Sequence, residues 1–245
     1  METSNEKQIV TKKATGLPSA SLFEADAHLG FENVKTESLA PPILKLLQNG
    51  SAEAQKRNQN YVEGAEPGMF LNTVTKKLYD GAKGVSVIPC HYKLEYQEWA
   101  DFGTGSGRPE NIFPDGSDIL EQTTKDGSGK DRLENGNYIL TVHQNFVIIL
   151  GDDGKAETAL ISMSASQGKV ARKWQSLQMS QTMKDEQGSF TPASFAFTYR
   201  LTSVLNSGKG NQWYGFAVQS EGPVQDAELY KRAKDFHDSL DKQNK

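Results

Sequence analysis

Apolar and polar side chains alternate one for one in several stretches of the chain. In residues 84–99, Ile88, Cys90, Tyr92, Leu94 and Tyr96 alternate with His91, Lys93, Glu95 and Gln97. That is the period of a half-buried strand, because successive side chains of an extended backbone point to opposite faces. Pro89 within it cannot donate a ladder hydrogen bond and calls for an edge position or a bulge. A shorter run at 68–74 precedes it across Tyr79-Asp80-Gly81, whose Asp-Gly pair favours a turn. Residues 138–150 set Tyr138, Leu140 and Val142 against Ile139, Thr141 and His143, close in Gly151-Asp152-Asp153-Gly154 and lead straight into 158–163, which predicts a hairpin. A further hairpin is predicted from 195–204 through the Gly-rich turn 206–211 to 213–218.

Other stretches carry a helical period. Val170, Trp174 and Leu177 recur at spacings of four and three, and Ser164 with Gln167 three residues on has the form of a capping box. Leu229, Ala233, Phe236 and Leu240 repeat the stripe near the C-terminus. Two prolines, Pro41 and Pro42, ahead of Ile43-Leu44-Lys45-Leu46-Leu47 predict a short helix ending near Asn49-Gly50. Residues 103–136 are rich in Gly, Asp, Ser and Pro without periodicity and read as a mobile loop. Residues 1–38 hold few large apolar groups and read as a flexible N-terminal arm. The order predicts a mainly β (α+β) single domain over 39–245, an antiparallel OB-like barrel with an inserted helix and a C-terminal helix. A β-sandwich is the competing architecture.

Composition narrows the function. A hydrophobic share of 36% is low for a chain folded end to end, which agrees with an unstructured arm. No stretch approaches the roughly 20 apolar residues of a membrane helix, and residues 1–13 lack the apolar core of a secretion signal. The single cysteine, Cys90, permits no internal disulfide and sits in an apolar strand pattern, so it reads as a buried structural thiol rather than a nucleophile. The motifs of phosphate loops, dinucleotide folds, zinc proteases and serine hydrolases are absent from the sequence. His28, His91, His143 and His237 fall in separate segments, and Asp152-Asp153 and Asp185-Glu186 read as solvated turn residues rather than Mg²⁺ ligands. The expectation is a protein without catalytic residues, metal or cofactor.

Charge is unevenly distributed. The chain carries a net −4, yet between Thr158 and Lys184 the four charged residues, Lys169, Arg172, Lys173 and Lys184, are all basic. A local basic patch is the footprint of phosphate binding, with a solvated helix face as the structural alternative. Single-strand binders combine such cations with aromatic rings on which bases stack. The candidate nucleic-acid contacts are therefore Lys169, Arg172, Lys173, Arg200 and Lys209 for phosphates, with Trp99, Trp174, Trp213, Tyr92 and Tyr96 for bases. Lys76 and Lys77 form a second cationic stretch.

The segments 63–75, 87–92 leading to Glu98-Trp99, 162–177, 199–204, 208–215 and 229–236, in this order, resemble a family of tailed-phage early proteins, many described only as hypothetical. The family is similar in layout to phage OB-fold single-stranded-DNA-binding proteins. The resemblance implies a role in DNA replication or recombination in the cytoplasm of the infected bacterial host, with single-stranded DNA and phage replication proteins as partners, homo-oligomerisation open, and no membrane association. A virion structural or assembly protein is the alternative. Many such binders end in an acidic tail with a terminal aromatic, whereas residues 221–245 hold six acidic and five basic residues and end in Lys245.

Overall fold

The alternation in the middle of the chain builds two long central strands, β4 (Val85–Trp99) and β8 (Tyr138–Leu150), paired antiparallel from Ser86↔Leu150 to Trp99↔Tyr138. In the computed structural model, residues 42–151, 154–208 and 210–243 are described, together with positions 24, 26, 29 and 30. The N-terminal arm expected over 1–38 therefore lies almost wholly outside the described residues. The chain divides into two units, 1–40 and 41–245, and the second holds all the elements below.

Strand β9 (Ala156–Ser164) pairs with β8 across the 151–154 turn, giving the predicted hairpin. Strands β12 (Phe197–Gly208) and β13 (Asn211–Pro223) form the other. β12 joins the sheet beside the start of β4 through Tyr199↔Val87 and Leu201↔Val85. Where they meet, a Cβ on Gly84 would lie 2.3 Å from the Leu201 carbonyl oxygen, and φ is +76°, so only glycine fits. The result is mainly β: a curled, half-barrel antiparallel sheet with two helices. Pro89 is accommodated by a bulge, since the register shifts between Pro89 and His91 and leaves Cys90 unpaired inside a central strand.

The sheet is covered on both faces, which explains the unbroken apolar run near the end of β8. Val87, Val147 and Ile149 turn to one face, where α1 (Gly168–Met179) lays Ala171 and Trp174 over Ile161 and Met163. Ile88 and Ile148 turn to the other, where Phe195 packs with Leu229, Ala233 and Phe236 of α2 (Ala227–Gln243). A small sheet of β1 (Leu44–Leu46), β2 (Phe70–Asn72) and β3 (Leu78–Tyr79) closes the first core. There Phe70 stacks on Phe216 with centroids 5.5 Å apart.

Two local expectations are corrected. The predicted helix after Pro42 is strand β1: Leu44 and Leu46 are buried while Lys45 turns out to pair with Glu53 at 2.9 Å, a period of two fixed by pairing with β2. Nor does Ser164 cap α1. A 3₁₀ turn at Ala165–Gln167 intervenes, and the Gln167 side chain instead accepts the Phe216 N–H at 2.9 Å. The stretch read as a loop carries β5 (Asn111–Pro114), which pairs with the far half of β4, a 3₁₀ turn at Asp118–Gln122, and the short strands β6 (Thr124–Lys125) and β7 (Asp131–Arg132). A small hairpin, β10 (Met183–Asp185) with β11 (Gly188–Phe190), stands exposed after α1.

Candidate nucleic-acid interface

Helix α1 buries Ala171, Trp174 and Gln178 and therefore turns Lys169, Arg172 and Lys173 outward, where all three are exposed. Arg172 reaches back along its own helix. A Cβ built on Gly168 would lie 3.6 Å from Nη1 of Arg172 and 3.5 Å from Nε2 of His143, so the guanidinium and the imidazole flank the first turn of α1 together.

His143 stands on β8 with only 5% of its surface exposed, and its Nδ1 is 2.8 Å from the Tyr92 hydroxyl on β4. Burial, and then the charge of Arg172, hold the imidazole below its ordinary pKa. Burial, and then the charge of Asp115, raise the Tyr92 phenol, which keeps its proton.

A groove of about 570 Å³ runs past this cluster, lined among others by Lys130, Tyr138, Thr141, His143, Ser164 and Arg172. Its origin is a gap in strand pairing. β9 leaves β8 after Ser164↔Val142, and β7 meets β8 only at Ile139 and Tyr138, so the edge of β8 at Leu140 and Thr141 lies open between them. Lys130 lies at the rim of this gap. Its Nζ stands 4.0 Å from the centroid of the Tyr138 ring, and the Arg132 guanidinium carbon is 5.5 Å from the same ring.

Arg132 is held by a fork of acids, Asp101 at 3.0 Å and Asp126 at 2.9 Å. Hydrogen bonds from Ser128 and then Arg132 push the Asp126 carboxyl far below the usual carboxylate range, and Arg132 does the same more mildly to Asp101. Both acids therefore stay ionised and fix the rim.

Tyr138 also lines a second cavity, of about 510 Å³, with Trp99, Phe102 and Arg108. Trp99 donates its indole N–H to Gln97 at 3.1 Å, and Phe102 projects entirely into solvent.

The residues singled out in sequence divide accordingly. Lys169, Arg172 and Lys173 share the exposed face of α1, and Tyr92 joins them through His143. Tyr96, half-buried, follows on β4 opposite Phe113. Trp174 is a correction: it is fully buried, edge-to-face with Tyr199 at 6.0 Å, so it packs the core and meets no base. Arg200 and Lys77 line a different hollow, with Tyr79 and Gly84, and each is ion-paired, Arg200 with Glu221 at 2.8 Å and Lys77 with Glu157 at 3.3 Å. Lys76 is exposed in the neighbouring turn with φ of 59°. Trp213 is half-buried near the tip of the β12–β13 hairpin, its ring against Gly208. Lys209, Asp152 and Asp153 lie outside the described residues.

His143, Lys130, Arg132, Tyr138, Phe102 and Arg108 were not anticipated. Tyr138 and His143 were legible only as members of a strand, and the others fall in or beside the segment that lacks periodicity. Among the described residues, no helix is long and apolar enough to cross a membrane, and no group of three or more His, Cys, Asp or Glu side chains could hold a metal ion.

No curated protein and no solved structure matches the chain. The model of one family does match, over residues 11–245, nearly the whole length: by this match the chain belongs to the Pam3 phage gp34-like protein family.

Proposed function

We propose that this protein binds single-stranded DNA, non-catalytically and with low sequence preference, in the replication or recombination of a phage genome. The observation that carries the proposal is the groove at the open edge of β8, where Arg172 of α1 and Lys130 of the β6–β7 turn converge with Tyr138. Lys169 and Lys173 extend the cationic face along α1. Phosphates neutralised by such side chains release counterions, and an adjoining aromatic ring offers a face to an unpaired base. A chain of net charge −4 gains this affinity only locally, which a segregated basic face provides. Membership of a phage family and a curled antiparallel sheet of the kind used by OB-type binders agree with the proposal. The host cytoplasm would be its place of action and phage replication proteins its protein partners.

The test is a titration of fluorescent oligothymidine at increasing salt, with wild type and the Lys169→Ala/Arg172→Ala/Lys173→Ala triple variant, and circular dichroism to verify folding. Binding by the wild type, with the slope of log K against log salt reduced by about 2 in the triple variant, is expected for three lost phosphate contacts. No binding by the folded wild type at low salt would overturn the proposal and favour a virion structural or assembly role.

A further inference from the structure

We infer that the cavity formed by Trp99, Phe102, Arg108 and Tyr138 receives an unstacked nucleobase of the bound strand, and that it is distinct from the groove that holds the phosphates. The inference rests on the DNA-binding proposal and adds to it the place where bases are read.

Trp99 and Tyr138 are register partners at the far end of the β4–β8 ladder. Paired residues of an antiparallel ladder project to the same face, so an indole and a phenol lie side by side there. The cation of Lys130 lies over the Tyr138 ring, while the Trp99 side of the cavity remains lined by rings and by the loop that follows β4.

Phe102 belongs to that loop and is 106% exposed, a whole apolar ring held in water. Gly103 and Gly107, with φ of +84° and +75°, give the loop backbone conformations that other residues rarely adopt. A ring presented by such a loop beside two further aromatics is arranged to close over a flat partner. At about 510 Å³ the cavity is of ligand size.

The surroundings select the ligand. Arg108 lines the cavity, and Lys130, over the Tyr138 ring, lines the adjoining groove, so a ligand with a flat π-face and an attached anion fits better than an apolar peptide side chain. Asp101 also lines the cavity, but its charge is taken chiefly by Arg132, which meets both of its oxygens at 3.0 Å, with Lys130 farther off at 3.4 Å. Because Tyr138 lines both cavities, a nucleotide can place its base against Trp99 and Phe102 while its phosphate meets Lys130 and Arg172.

The experiment compares oligothymidine with an abasic oligodeoxyribose phosphate of equal length, by fluorescence anisotropy, for wild type, Phe102→Ala and the Lys169→Ala/Arg172→Ala/Lys173→Ala variant. Phe102 has no packing to lose, so its variant folds. The wild type is expected to prefer oligothymidine; Phe102→Ala loses roughly 5- to 100-fold for oligothymidine and nothing for the abasic strand, whereas the triple variant weakens both. Quenching of Trp99 fluorescence by oligothymidine but not by the abasic strand, absent in Trp99→Phe, supplies an independent readout. Equal binding of both strands by the wild type, or an unchanged Phe102→Ala, overturns the base site and leaves the DNA-binding proposal standing. Failure of the wild type to bind either strand overturns both.

Discussion

Tyr92 and His143 share a hydrogen bond of 2.8 Å across the central strand pair, and Arg172 stands beside the imidazole. The ring is held below its ordinary pKa of 6.5 by burial first and by the Arg172 charge second. The unfolded chain therefore binds more protons, so this residue's contribution to stability is complete above about pH 6.5 and is lost as pH falls toward the folded value.

For the proposed DNA binding the sign reverses. A phosphate beside Arg172 offsets the guanidinium charge and favours the imidazolium, while the Tyr92 oxygen can accept a hydrogen bond from the protonated ring as readily as its hydroxyl donates to the neutral one. Binding then takes up a proton. Affinity for oligothymidine is expected to rise from about pH 7.5 to about pH 6, with a slope of at most about one in log K per pH unit for a single group. His143→Gln should flatten the profile. A flat profile in the wild type would separate His143 from the proposed phosphate contacts.

Glu98 holds the long excursion between β4 and β8 at both ends. Its Oε2 accepts from Asn111 at 2.7 Å, and its Oε1 accepts from Asn135 at 2.8 Å and Asn137 at 2.7 Å. The residue is 5% exposed, and the three amides, Asn137 foremost, hold its carboxyl below the usual range. Glu98→Gln replaces an acceptor with an N–H group that confronts amide donors, leaving that N–H buried and unpaired at a cost of about 2–3 kcal/mol. A melting temperature lower by roughly 5–10 °C is expected for a domain of this size. Because the excursion carries Lys130 and Arg132, limited proteolysis should cut it sooner and oligothymidine should bind more weakly. The depressed pKa means that this stabilisation is present above about pH 4.5 and drains as pH falls through the folded value. An unchanged melting temperature would show that the amides do not fasten the excursion.

Much of this architecture was legible because side-chain parity is a local property. Val87 with Ile88, and Val147 with Ile148 and Ile149, had to face two covered sides, and the stripe Val170-Trp174-Leu177 had to dock. Whether Trp174 served the core or a base was not local, since a helical stripe looks the same in both cases, and burial against Tyr199 decided it. Leu44 and Leu46 were misread because a short apolar run after two prolines suits helix and strand alike, and the choice came from β2, some 25 residues on. The excursion carried no periodic signal because its strands β6 and β7 are two residues long and it is fastened by Glu98 rather than by an apolar face. The meeting of Lys130, Tyr138 and Arg172 was not local either: it arises where β7 and β9, on one edge of β8, leave Leu140 and Thr141 open between them.

Cys90 offers a direct measure of how firmly α2 is seated. The residue occupies the bulge of β4 with no exposed surface, and burial pushes its thiol up to about 12. Helix α2 covers it: Ala233 belongs to the same buried cluster, Phe236 packs on that cluster, and Nδ1 of His237 lies 2.8 Å from the Cys90 carbonyl oxygen. Burial keeps the thiol protonated, and no reagent reaches it while the helix stays docked. Labelling by a disulfide reagent should therefore be slow in the native protein and governed by opening of α2 rather than by reagent concentration. Ala233→Glu places a carboxylate among Ile88, Cys90 and Ile148, which the apolar cluster cannot accept, so it should unseat the helix and speed labelling by orders of magnitude. The α1 face shares no residue of that cluster, and oligothymidine affinity should persist in the same variant. Rapid labelling of the wild type, at the rate of an unfolded control, would mean that α2 does not cover the bulge in solution.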